Sequence, residues 1–253
     1  MISGARRTTA LTVLAVGVML AGGAGTTASA PRAATAPPAL DHFKCYTTTQ
    51  PTFKPRTVEI KDQFVSGKTA VLSVQTLCNP VAKNARKMRH PGAHLTCYQT
   101  RDAGIDFKAQ KVTVSNQFGK RELTVLKPES LCVPSLKSKA TDPPPTGPDP
   151  EKLVDHFRCY AVDPVPAQQA VTLVDQFTLT PSKVRRLVRL CTPVSKNGGT
   201  VRRPKAHLVC YTITDAKQFS PVSVRLRNQF GLTSLRAVKP QTLCLPSFKK
   251  RLG

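Results

Sequence analysis

His42, His94, His156 and His207 each stand three residues before a cysteine that is followed at once by a tyrosine. The phrases are DHFKCY (41–46), HLTCY (94–98), DHFRCY (155–160) and HLVCY (207–211), and they contain all 4 tyrosines of the chain. Three chemistries are open to such a set. His-x-x-Cys offers an imidazole and a thiolate that could hold zinc if a second pair converged on the first. A histidine beside the aspartate of a downstream Asp-Gln-Phe, His42 with Asp62 or His156 with Asp175, could serve as a general base. Cysteines in even number, here 8, would form disulfides in an oxidising compartment.

The first two are weak. On a strand, residues i and i+3 face opposite sides of the sheet, so one His-x-x-Cys does not chelate. His90 and His94 are separated by Pro91-Gly92, which breaks the helix that an i,i+4 pair requires. No metal or other cofactor is therefore expected. The base dyads lose force because Asn116 and Asn228 replace the aspartate in the other two copies, and no nucleophile recurs. G-x-S-x-G, H-E-x-x-H and the dinucleotide-binding glycine pattern are all missing, so the chain is expected not to be an enzyme. A redox role is not expected either, since C-x-x-C does not occur.

The elements that carry these residues repeat four times. Each quarter runs H-x-x-C-Y, then an alternating segment ending in Asp/Asn-Gln-Phe (Asp62, Asn116, Asp175, Asn228), then an apolar stretch ending in Leu-Cys-x-Pro (Cys78, Cys132, Cys191, Cys244). Val58, Ile60, Asp62 and Phe64 share one face by period two, as do their counterparts in the other quarters. A short polar side chain thus recurs on an apolar face and must be hydrogen-bonded, to a backbone turn or to the recurring histidine or tyrosine. Near-constant spacing favours one disulfide inside each quarter: Cys45 with Cys78, Cys97 with Cys132, Cys159 with Cys191, Cys210 with Cys244. Each would contribute about 3–4 kcal/mol. Pairing between quarters, such as Cys78 with Cys97 and Cys45 with Cys132, stays open.

Quarters one and three resemble each other most, as do two and four, which makes a pair of quarters the true unit. The expected fold is all-β: two small sandwich or barrel domains, 40–138 and 152–250, each with an internal pseudo-twofold and stapled by disulfides. Residues 139–151, within KATDPPPTGPDPEK, read as a semi-rigid Pro-rich linker. The order DHFKCY, DQF, LCNPVAKN, HLTCY, NQFG, LCVPSLKS, present twice with variation, resembles an uncharacterised domain family of secreted bacterial proteins. The resemblance covers essentially all of 40–250 and implies an exported bacterial protein with these domain boundaries. It implies no catalytic residue and no ligand.

Arg6 and Arg7, the apolar run 10–20 and Ala28-Ser29-Ala30 have the form of a signal peptide over 1–30, followed by a short disordered segment over 31–39. The apolar run is too short for a membrane anchor, so the mature chain is expected to be secreted without a transmembrane segment. Lys and Arg number 38 against 14 Asp and Glu, and only Arg6 and Arg7 lie in 1–30, which leaves about +22 on the mature chain. Such a charge attracts anionic polymers and surfaces. The cations cluster between the quarters of each half, at Lys83, Arg86, Lys87 and Arg89 and at Lys196, Arg202, Arg203 and Lys205, with Arg225 and Arg227 on an alternating strand. The reading is a monomeric, non-enzymatic exported protein whose basic surface associates with anionic envelope polymers or other polyanions. With no Trp, 6% aromatics and no zinc-finger or RNP motif, sequence-specific nucleic-acid binding is not expected. The alternatives are a lectin-like module stacking sugars on Tyr46, Tyr98, Tyr160 and Tyr211, and a hydrolase built on the His–Asp dyads.

Overall fold

A computed structural model describes residues 40–252 apart from 50 and 105, so the proposed signal peptide and the 31–39 segment lie outside the described residues. Period-two alternation with β-branched residues produces strands throughout. These are β1 (His42–Thr48), β2 (Arg56–Lys61), β3 (Ser66–Lys83), β4 (His94–Asp102), β5 (Gln110–Asn116), β6 (Gly119–Lys139), β7 (Phe157–Val174), β8 (Leu179–Pro193), β9 (Ser195–Lys196), β10 (His207–Asp215), β11 (Val222–Asn228) and β12 (Gly231–Arg251). The fold is all-β, and every pairing is antiparallel.

The pairings close on themselves. Inside each quarter the opening strand pairs with the closing strand, with the cysteines directly opposite: Cys45 on Cys78, Cys97 on Cys132, Cys159 on Cys191 and Cys210 on Cys244. Each opening strand also pairs with the closing strand of the quarter before it, β4 with β3, β7 with β6 and β10 with β8. β1 completes the cycle by pairing with β12, Phe43 opposite Cys244. The result is a ring of eight strands in the order β1-β3-β4-β6-β7-β8-β10-β12, a barrel without an open edge.

Alternation decides what fills it. Phe43, Leu95, Phe157 and Leu208 lie two residues before the opening cysteines, on the same strand face, and pack with all eight cysteines, Ala93 and Val154 in one buried cluster. The opposite face carries Tyr46, Leu77, Tyr98, Leu131, Tyr160, Leu190, Tyr211 and Leu243, all but the first of which belong to a second, larger core. That core exists because the middle strands and the distal parts of the closing strands form hairpin arms that cover the outside of the barrel. β2–β3, β5–β6, β11–β12 and the distal parts of β7 and β8 pair as these arms. Val58, Ile60, Val112, Val114, Val171, Leu173, Val224 and Leu226 point inward from them.

Two separate domains are not what forms. Arms of one half are stitched to closing strands of the other, β5 to β12 through Val112 on Arg251 and β11 to β6 through Val224 on Lys139. All described residues belong to one compact unit. The reason is the edge: half the chain supplies only four of the eight ring strands and would expose two unpaired edges and half a lumen. The Pro-rich segment is correspondingly not a free spacer. It lies along β11, with Ala140 N–H donating to Ser223 O and Arg225 donating to the carbonyl of Asp142, and Pro145 is buried.

Candidate functional site

The Asp/Asn of each Gln-Phe signature begins a tight turn. Asp62 Oδ1 accepts from the N–H groups of Phe64 and Val65, and Asp175 Oδ1 from those of Phe177 and Thr178. In the other quarters Asn116 and Asn228 cap Phe118 and Phe230 in the same way, and the chain then turns through Gly119 and Gly231 at φ +101° and +110°. The second oxygen or the amide reaches across to the tyrosine two quarters away. Tyr46 donates to Asp175 (2.8 Å) and Tyr160 to Asp62 (2.7 Å). Asn116 donates to Tyr211 (3.0 Å) and Asn228 to Tyr98 (2.9 Å). Burial, and the neighbouring Asp175 and Asp62 carboxylates, push the Tyr46 and Tyr160 hydroxyls far above the ordinary phenol range, and burial raises Tyr98 to about 12. The four tyrosines are 0–3% exposed, so no ring face is open to stack a sugar and the lectin-like reading loses its platform.

The histidines do not join these carboxylates. Asp62 Oδ2 is taken by Tyr160 and Thr192, while His42 has Gln117 beside it and His156 meets Gln229. Burial, with Lys83 beside His42 and Lys196 beside His156, lowers both imidazoles to about 4. Burial lowers His207 to about 3 and His94 well below its ordinary value. All four are neutral packing residues at ordinary pH. Neither proposed dyad is assembled, and no group of three or more metal-ligating side chains occurs among the described residues.

Sequence reasoning passed over two buried ion pairs. Lys44 and Arg158, each just before its cysteine, are 0% exposed. Lys44 meets Asp215 and Arg158 meets Asp102, both at 2.6 Å, with Thr178 and Thr100 as further partners. A cation next to the cysteine of the repeated phrase was the available signal, and its partner lies one quarter away in the ring. Also missed was the role of the lysine five residues after each closing cysteine, Lys83, Lys137, Lys196 and Lys249, of which Lys83 and Lys196 were expected on the basic surface. Their ammonium groups stand over the signature phenylalanines of the following quarter, at 5.5 Å from Phe118, 4.1 Å from Phe177, 6.0 Å from Phe230 and 4.3 Å from Phe64. Lys137 and Lys249 also bond Gln176 and Gln63. Burial lowers all four, Lys137 and Lys249 to about 8.

That placement corrects part of the basic surface expected from sequence. Lys83 is buried and Lys196 half-buried in these clamps, each ammonium standing over an aromatic ring, and neither stands free on the surface to meet a ligand. Arg203 and Arg225 are half-buried and donate to the carbonyls of Leu153 and Asp142. Arg86, Lys87, Arg89, Arg202, Lys205 and Arg227 are exposed. Asp41 accepts from the N–H groups of Arg89 and His90, and Asp155 from those of Arg202 and Arg203. Each basic loop is thereby held by a buried carboxylate that binds backbone and leaves most of the cationic side chains outside. Loops 84–93 and 197–206 follow closing strands and precede opening strands, so the ring sets both on one rim. The β3–β4 and β8–β10 seams that they span are separated by two strands on either side, β6 and β7 or β12 and β1.

The other feature of note is the barrel lumen, a cavity of about 310 Å³ lined by all eight cysteines. Phe43, Leu95 and Leu208 floor it at the end nearer the basic rim. At the opposite end it is walled by Thr47, Thr48, Gln75, Thr76, Ser130, Gln241, Thr242 and Arg189, and Arg189 pairs with Glu129 at 3.0 Å. Thr47, Gln75, Gln241 and Arg189 are half-buried, which makes this end the mouth. Disulfides join each cysteine to its partner within the quarter, Cys45–Cys78, Cys97–Cys132, Cys159–Cys191 and Cys210–Cys244, and no described cysteine is free. Four disulfides fit an oxidising, extracellular environment. Among the described residues no helix is long and apolar enough to cross a membrane. No family model, no curated protein and no solved structure matches this chain.

Proposed function

We propose that the protein is an exported, non-enzymatic binding protein of the secreted bacterial domain family its sequence resembles, and that its basic rim holds anionic polymers of the envelope or surroundings. The observation that carries this reading is the pair of carboxylate-anchored loops, Arg86, Lys87 and Arg89 in one and Arg202 and Lys205 in the other, facing outward from one end of a closed barrel. A rigid body that sets two cationic clusters on one rim suits a repeating polyanion, whose charges recur along its length. Affinity then comes from displaced counterions and not from base or sugar readout, so it is sequence-tolerant and falls steeply with salt. The sequence suggested two tethered domains gaining avidity through a spacer. In the closed ring the two clusters are instead fixed relative to each other, and no linker entropy opposes their joint engagement.

Retention of the purified chain on heparin and on DNA columns tests the reading: binding at about 50 mM salt and release by about 500 mM is expected. Exchanging Arg86, Lys87, Arg89, Arg202 and Lys205 for serine is expected to shift elution to lower salt, with the salt slope falling by about one for each phosphate no longer neutralised. Flow-through of the unaltered chain at the lower salt overturns it.

A further inference from the structure

The sulfurs of the lumen are close to more than their own partners. Cys78 Sγ is 3.9 Å from Cys97 Sγ, Cys132 Sγ is 3.6 Å from Cys159 Sγ, and Cys45 Sγ is 3.9 Å from Cys244 Sγ. Each of these contacts joins a disulfide of one quarter to that of the next. The eight cysteines therefore form an open belt running from Cys191 to Cys210, in which covalent bonds within quarters alternate with van der Waals contacts between quarters. The pairing that the sequence left as an alternative, Cys78 with Cys97, is the one-step neighbour of the pairing that is present.

Such spacing is what thiol–disulfide exchange requires, since a thiolate attacks a disulfide sulfur it already touches and expels the other sulfur as a new thiolate. C-x-x-C motifs bring sulfurs together along the chain, whereas here the ring brings them together across strands. We propose that the lumen is a thiol–disulfide exchange site for low-molecular-weight thiols, in which a thiolate freed at one belt cysteine is passed from quarter to quarter. An entering thiolate RS⁻ attacks Cys132, forming an R–S–S–Cys132 mixed disulfide and releasing Cys97 as thiolate. Cys97 attacks Cys78, forming Cys78–Cys97 and releasing Cys45. Cys45 attacks Cys244, forming Cys45–Cys244 and releasing Cys210. Each step makes one S–S bond, breaks one, and moves the same negative charge on, so no oxidant or reductant beyond the entering thiol is consumed. The cavity volume suits a small thiol, and the excess positive charge of the chain favours the thiolate over the thiol. The half-buried threonine and glutamine mouth provides the way in.

The Cys191→Ser variant tests the relay without any added thiol, because it leaves Cys159 unpaired 3.6 Å from Cys132. The folded variant is held at about pH 8, where a thiol of ordinary pKa is partly ionised, then quenched with acid and alkylated, and the labelled peptides are mapped. Label is expected at Cys97, Cys45 and Cys210 as well as at Cys159, with Cys132–Cys159, Cys78–Cys97 and Cys45–Cys244 bridges in the same sample. Label confined to Cys159 overturns the relay. Should the variant not fold, the unaltered native protein is treated with one equivalent of a small anionic thiol and mapped in the same way. Bridges between ring neighbours of adjacent quarters, together with a thiol adduct, are expected. Absence of any adduct overturns the proposal, as does a mixture rich in non-neighbour bridges such as Cys45–Cys97, which signals scrambling in an unfolded chain.

Discussion

Asp62 and Asn116 occupy the same place in their quarters and hand the proton in opposite directions. The carboxylate of Asp62 accepts from the Tyr160 hydroxyl, and the amide of Asn116 donates to that of Tyr211. The turn cap is common to both; the polarity of the cross-ring bond is not. Asp62→Ala strips Tyr160, Thr192 and the turn N–H groups of Phe64 and Val65 of an acceptor at once, and is expected to cost about 3–5 kcal/mol in denaturant unfolding. Asp62→Asn keeps the cap and needs the Tyr160 and Thr192 hydroxyls to turn, so about 1–2 kcal/mol is expected. Equal losses for the two variants would mean that the cross-ring bond has no part in stability. The need for a partner was legible from a polar residue on an apolar face. The turn and the recurring tyrosine were among the partners it offered, but which copy's tyrosine was not legible, because it sits two quarters away and no local spacing points to it.

At the scale of the element, the arms explain why the four turns differ. Quarters two and four turn through Gly119 and Gly231 in the left-handed region, and quarters one and three close through an aspartate-capped turn without glycine. Gly231 and Gly92 both have open space where a Cβ would go, but only Gly231 has a positive φ. Gly231→Ala is therefore expected to lower stability by about 1 kcal/mol through backbone strain alone, while Gly92→Ala stays near neutral, with thermal melting as the measure. A neutral Gly231→Ala would show that the arm turn relaxes freely. The arm strands themselves were legible from their period-two alternation. What the arm covers was not, since period two states that a face is apolar and does not say which surface it meets. Val58, Ile60 and Leu173 cover the outside of the barrel wall instead of the middle of a sandwich.

For the whole molecule, closure is the decisive fact. A half-chain carrying 40–138 holds four ring strands and two open edges, and its β5 arm lacks the β12 residues that pair with it. Expressed alone under oxidising conditions it is expected either to dimerise, two copies closing a ring of eight, or to aggregate, as read by light scattering and circular dichroism. A stable, folded monomeric half would restore the two-domain reading. The full chain is expected to unfold in one transition.

Much of the molecule could be written down from its residues. Strand content, the fourfold phrase, the within-quarter cystine pairing that the spacing favoured and the excess of cations all follow from local period, count and spacing, which chain neighbours determine between themselves. Tertiary structure alone decided that the halves interlock, that Lys83 and Lys196 turn inward onto rings while Arg86 and Arg202 stay out, and that eight sulfurs meet in one lumen. Those outcomes depend on which edges find each other across more than a hundred residues, and antiparallel edges carry the same hydrogen-bonding groups whichever quarter they come from. Only the geometry of closing the ring, with every edge paired and both faces of the wall buried, selects among them.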